Sequence, residues 1–124
     1  MNCVSYASSN SLSGVTIVFI AMNQFQVDPL RGGEFEEVWR TRDSFLNDNP
    51  GFVSFALLKG DESGDYISHS TWESREAFLV WTQSESFKRA HGGQMPDGII
   101  VGHPRARFYD SVVIQGPAAV VSAG

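Results

Sequence analysis

The sequence predicts an α+β fold, a four-stranded antiparallel sheet with two helices packed on one face. Three observations carry this. Four short segments are rich in β-branched and aromatic residues, as strands are. Two others repeat apolar residues at helical spacing. A tight loop, residues 60–65 (GDESGD), joins the two middle strand segments and pairs them as a hairpin. The order is strand, helix, strand, strand, helix, strand (βαββαβ), the split βαβ or ferredoxin-like arrangement.

The first strand is residues 15–27 (VTIVFIAMNQFQV). Ile17, Phe19, Ala21, Asn23, Phe25 and Val27 share one face, and Val18, Ile20, Met22, Gln24 and Gln26 share the other. Both faces begin apolar, so both need cover. Pro29, Gly32 and Gly33 turn the chain into a helix over residues 34–47. Its stripe is Phe35, Val38, Trp39, Arg42, Phe45 and Leu46, with acidic residues in the first turn where the helix dipole favours them. Residues 49–51 (NPG) stop it. Residues 52–59 and 66–72 form the hairpin strands. Ser74 caps a second helix that runs to a Gly-Gly stop at residues 92–93, with a bend or restart at residues 84–86. A loop rich in glycine and proline, residues 94–105, leads to a last strand over residues 106–115. The far face of the sheet is left uncovered and partly apolar, which suits pairing of two copies into a homodimer, a dimeric α+β barrel.

A chain of 124 residues holds one core. The expected division is a flexible N-terminal extension (1–14), the folded domain (15–115) and a tail of small residues (116–124). A net charge of −5 argues against nucleic acid or an anionic membrane as the main partner. The single cysteine, Cys3, excludes a disulfide within the chain and makes a reducing compartment the simpler reading. No apolar run is long enough for a membrane span. Residues 1–14 hold neither Lys nor Arg and fit a secretory or transit signal poorly. A cytoplasmic location is expected, with organellar import left open.

Phosphate loops, nucleophile elbows and HExxH or CxxC metal signatures are all missing from the sequence. The chemistry therefore rests on a few side chains. Asn23 interrupts an apolar strand face, and an amide there needs partners, either backbone or a ligand. Arg42 interrupts an apolar helix stripe, either snorkelling to water or facing an anion at a pocket rim. Trp81 is a core residue or the wall of a site. His91 ends a helix, where the dipole alone favours an imidazolium. It could instead supply one axial bond to a haem iron, whose porphyrin already provides four nitrogens. On one unbroken helix, Trp81 and His91 would lie on neighbouring faces about 15 Å apart, within reach of one flat ligand.

The segments FIAMNQFQV, NPGFVSF, STWESREAFLVW and SESFKRAH resemble the antibiotic biosynthesis monooxygenase superfamily, and within it the IsdG-type haem-degrading monooxygenases. The resemblance covers residues 19–91 and a last strand near Phe108. It implies an active site of Asn23, Trp81 and His91. His91 would be the axial ligand of the haem iron, Asn23 a hydrogen-bonding group near the haem, and Trp81 a wall favouring a ruffled macrocycle. Trp39 and Arg42 match positions that line the pocket in relatives. Haem would be both cofactor and substrate, consumed with O2 and electrons from an external reductase or small-molecule reductant. Three other readings stand beside this one: a cofactor-free monooxygenase acting on a phenolic or quinol-like substrate, a haem carrier or sensor without turnover, and a structural dimeric domain with no ligand.

Overall fold

The structure, a computed structural model, describes residues 17–42, 44–91 and 95–116, and of His91 the backbone alone. The expected N-terminal extension and the tail beyond Gly116 lie outside the described residues. The elements are β1 (Phe19–Gln26), a 3-10 turn (Pro29–Arg31), α1 (Gly32–Thr41), β2 (Phe52–Lys59), β3 (Asp65–Trp72), α2 (Arg75–Thr82), α3 (Glu85–His91) and β4 (Arg105–Asp110). The sheet order is β2-β3-β1-β4 and every pairing is antiparallel, so β1 is central. This is the ferredoxin-like arrangement expected from the sequence.

The alternation of β1 organises the interior. Phe19, Ala21, Phe25 and Val27 are buried on the helix-facing side. They seed two separate aromatic clusters. Phe19 and Ala21 join Leu46, Trp72 and Trp81. Phe25 and Val27 join Phe35, Tyr66 and Ile99. Asn23 falls between the two. Phe35, Trp72 and Ile99 are each 0% exposed, so both clusters are fully sealed at their centres.

Four boundaries differ from the sequence expectation. First, β1 begins at Phe19, with Ile17 and Val18 outside it, and residues 15–16 of the expected strand lie outside the described residues. Second, α1 ends at Thr41 rather than near residue 47. Arg42 turns to an extended backbone (ψ 153), and Phe45 takes a positive φ of 59. Leu46 still reaches the core, because the Asn49 side-chain amide donates to the Phe45 carbonyl (2.7 Å) and holds the loop. Third, the second helix breaks after Thr82. The Ser84 hydroxyl accepts from the Phe87 N–H at 3.1 Å and starts α3 afresh, so separations drawn along one unbroken helix do not apply. Fourth, β4 stops at Asp110. The ladder closes where Ser111 exchanges two hydrogen bonds with Val18, each 2.9 Å, and Val112 and Val113 are exposed.

The loop after α3 is more ordered in its pairing than its composition suggests. Ile100 bridges Val27, Val101 donates to the Gln26 carbonyl (2.7 Å), and Ile99 plugs the second cluster. The far face of the sheet carries Ile20, Met22 and Ile67, with Leu58 and Tyr109 exposed, and no described element covers it. No helix among the described residues is long and apolar enough to cross a membrane.

Gly51 ends the N-P-G turn before β2 and packs against α2. Its φ is +83, and a Cβ there would meet the Cβ of Ala77. Gly51→Ala should therefore lower the unfolding free energy by about 1–3 kcal/mol in urea denaturation. Gly33 lies in α1 with open space around it. Gly33→Ala should raise stability by about 0.5–1 kcal/mol in the same assay.

Candidate functional site

A cavity of about 440 Å³ opens between the helices and the sheet, in the gap that Asn23 leaves between the two aromatic clusters. That volume lies in the range of small-molecule sites. Phe78 and Trp81 of α2 wall one side, Phe25 and Trp39 the other, and Met95 and Pro104 of the late loop close a third.

The structure brings together four of the five residues singled out in the sequence: Asn23, Trp39, Arg42 and Trp81 all line this cavity. The fifth, His91, is the last residue of α3, and its side chain lies outside the described residues. Its helical neighbours Phe87 and Ala90 do line the cavity.

Each polar group in the wall has a distinct environment. The Asn23 side-chain amide opens into the cavity and has no hydrogen-bond partner among the described residues. Across β3 its register partner is Ser68, a second polar wall residue. Arg42 lays its guanidinium over the Trp39 ring, 4.1 Å from the centroid, and donates to the Ala90 carbonyl at 3.4 Å. It has no carboxylate partner among the described residues. Burial pulls its pKa below the ordinary arginine value, yet a guanidinium stays charged at any working pH. Arg42 thus ties α1 to α3 and offers an unneutralised cation at the cavity wall. The indole N–H of Trp39 is buried without a partner among the described residues.

Trp81 is core and wall at once. Its ring lies 5.4 Å from Trp72 and 4.8 Å, edge-on, from Phe87. It is 7% exposed. The two readings drawn from the sequence are therefore not alternatives.

Sequence reasoning missed Ser68, Ser70, Met95 and Pro104. Ser68 and Ser70 could have been found from the alternation of β3, because they share with Tyr66 and Trp72 the face that meets Asn23 and Ala21 of β1. Met95 and Pro104 carry no such signal, since their loop has no periodicity.

A model of the family described as antibiotic biosynthesis monooxygenase matches residues 18–93. The chain belongs to the antibiotic biosynthesis monooxygenase family. A "heme-degrading monooxygenase" of Bacillus thuringiensis is 37% identical over 75 residues, 56% of this chain and 68% of the relative. A "heme oxygenase (mycobilin-producing)" of Mycobacterium tuberculosis is 31% identical over 92 residues, 72% of this chain and 85% of the relative. Among solved structures, the heme-degrader MhuD of Mycobacterium tuberculosis, with two hemes bound in its active site, superposes with a TM-score of 0.65. It is 26% identical, covering 79% of this chain and 99% of that one.

Ser70 accepts from the Trp72 indole N–H (3.0 Å) and donates to the Ala21 carbonyl (3.3 Å), fixing the cavity floor. Ser70→Ala leaves a fully buried indole N–H unpaired. It should cost about 1–3 kcal/mol in urea denaturation, whereas Ser68→Ala on the same wall should change stability by no more than about 0.5 kcal/mol.

Proposed function

We propose that the cavity binds haem and that this chain opens the tetrapyrrole oxidatively and frees its iron. The observation that carries the reading is the wall itself: an aromatic, mostly apolar cavity into which an unpartnered amide and an unneutralised guanidinium open. A flat apolar ligand with anionic substituents fits that set of groups. The names of the relatives and the heme-bound MhuD structure point the same way.

Haem would supply the oxygen activation and is also the molecule consumed, with O2 and an external electron donor as co-reactants. The protein supplies position and polarity. His91 stands four residues after the cavity-lining Phe87 on α3, the i, i+4 spacing, and is the candidate axial ligand. Arg42 is the candidate partner for a propionate, its side chain already held by Trp39 and the Ala90 carbonyl. Asn23 can donate one N–H toward the ligand from the centre of the sheet. Trp81, clamped by Trp72 and Phe87, is a rigid wall against which a macrocycle can be distorted.

Titration with hemin, followed by ascorbate in air with catalase present, tests this. The expected result is a saturating Soret shift that bleaches after reductant, with both lost in His91→Ala. Arg42→Ala should weaken hemin binding about tenfold, the worth of one charge-assisted hydrogen bond. Binding without bleaching, under a stronger reductant as well, would make the chain a carrier or sensor. No specific binding would sink the haem reading and leave a cofactor-free oxygenase.

We also infer that two copies pair through the far face of the sheet, where Ile20, Met22 and Ile67 need cover that no described element provides. Sedimentation equilibrium at micromolar concentration should give twice the 13.6 kDa chain mass. Ile67→Lys should shift the population to monomer, and a wild-type monomer would refute the pairing.

A further inference from the structure

Beside the main cavity lies a second recess of about 310 Å³, and Trp39 forms part of the wall of both. The recess is also lined by Tyr66, Glu36 and Lys59. Between Trp39 and Tyr66 stands Phe35, its ring centroid 6.1 Å from Trp39 and 4.8 Å from Tyr66. The Tyr66 hydroxyl donates to the Glu36 carboxylate at 2.5 Å. We propose that Trp39 and Tyr66 form a hole relay, which carries an oxidising equivalent from the main cavity to the Tyr66–Glu36 pair at the recess. This rests on the main cavity being an oxygen-activating site.

The environments of the two rings set the direction. The Arg42 cation 4.1 Å from the Trp39 centroid disfavours a positive charge on that indole. The Trp39 N–H has no acceptor among the described residues, so an oxidised Trp39 has no protein base to relax onto. Tyr66 has the opposite arrangement, because a phenol loses its proton when oxidised and a carboxylate stands ready to take it. Burial and the Glu36 hydrogen bond push the Tyr66 phenol up to about 12, so the resting residue keeps its proton at any working pH. The Tyr66 hydrogen bond, with the charge of Lys59, holds Glu36 below its ordinary value, so the acceptor is ionised at neutral pH. Phe35 is too hard to oxidise to be a station and serves as the packed medium between them.

The steps balance. A one-electron oxidant formed in the cavity from O2 and reductant, or from peroxide, takes one electron from Trp39. Tyr66 gives one electron to the Trp39 cation radical and its proton to Glu36. That leaves a neutral tyrosyl radical beside a protonated carboxyl. One electron from a solution reductant, with the proton held on Glu36, restores the phenol. The Tyr66 ring is only 1% exposed, which shields the radical from encounters, whereas the Glu36 side chain is 24% exposed and can exchange protons with water. The relay would drain stray oxidising equivalents away from the cavity wall.

Flash-quench photo-oxidation of the haem-free protein tests the relay whatever the fate of the haem reading. The sensitiser is a ruthenium polypyridyl complex in solution. The background is Tyr6→Phe with Tyr109→Phe, which leaves Tyr66 as the only tyrosine. Transient absorption and freeze-quench electron paramagnetic resonance should detect a tyrosyl radical. Its yield should fall at least tenfold in Trp39→Phe and vanish in Tyr66→Phe. Its formation should slow several-fold in Glu36→Gln, and in the parent as pH falls through the depressed Glu36 pKa. Circular dichroism and urea denaturation confirm that each variant is folded. An unchanged yield in folded Trp39→Phe, or no tyrosyl radical in the parent, overturns the relay. With hemin and peroxide, Tyr66→Phe should keep its initial bleaching rate but survive at least twofold fewer turnovers. Equal survival would deny the relay its protective role.

Discussion

A single polar side chain on the apolar face of the central strand sets the layout of this molecule. Phe19 and Ala21 on one side of Asn23, and Phe25 and Val27 on the other, each recruit their own aromatic partners. Burying the Asn23 amide without a hydrogen bond would cost on the order of 1–3 kcal/mol. Neither cluster extends over it. The interior therefore condenses as two packed groups with a cavity between them, instead of one continuous core. The same alternation that makes β1 a strand thus determines where the cavity must be.

The framework around the gap is stiff where it consists of core residues. Trp81 is packed by Trp72, Phe78 and Phe87, and Trp72 is locked through Ser70 to the backbone of β1. On the opposite side Trp39 is held by Phe25, Phe35 and Phe55. Ring positions fixed by folding need no further ordering when a ligand arrives, which favours binding. The third side is a loop, but its middle is fastened by the Val27–Ile100 bridge and by Arg31, which donates to the Asp97 carbonyl at 2.7 Å.

Much of this was legible in the sequence because period-2 and period-3.6 patterns report directly on which face is buried. The element order and the faces that carry Asn23, Trp39, Arg42 and Trp81 follow from such patterns, the hairpin and the Ser74 cap from turn and cap residues, and the assignment of Trp39 to a pocket wall from the family resemblance. What escaped has equally physical causes. The apolar spacing through Phe45 and Leu46 fits a helix, but a loop can deliver Leu46 to the core just as well. Periodicity cannot distinguish the two. Likewise Val112, Val113 and Ile114 read as strand by residue type, yet β-propensity has no effect without a partner strand to pair with. Met95 and Pro104 became wall residues through the tertiary path of their loop.

The double role of Trp81 and Trp39 constrains how the site can be dissected. Each is an element of the core as well as the cavity, so truncation to alanine would remove packing worth about 3–5 kcal/mol along with any ligand contact. A loss of binding in such variants would say little about chemistry. Arg42 and Asn23 differ, because neither fills a sealed cluster. Arg42 crosses from α1 to a helix-end carbonyl in α3, and Asn23 holds open the space it faces. Substitutions there change polarity at the wall and leave the two aromatic clusters standing. For this architecture the polar residues, more than the conspicuous aromatic ones, separate what the fold needs from what the site does.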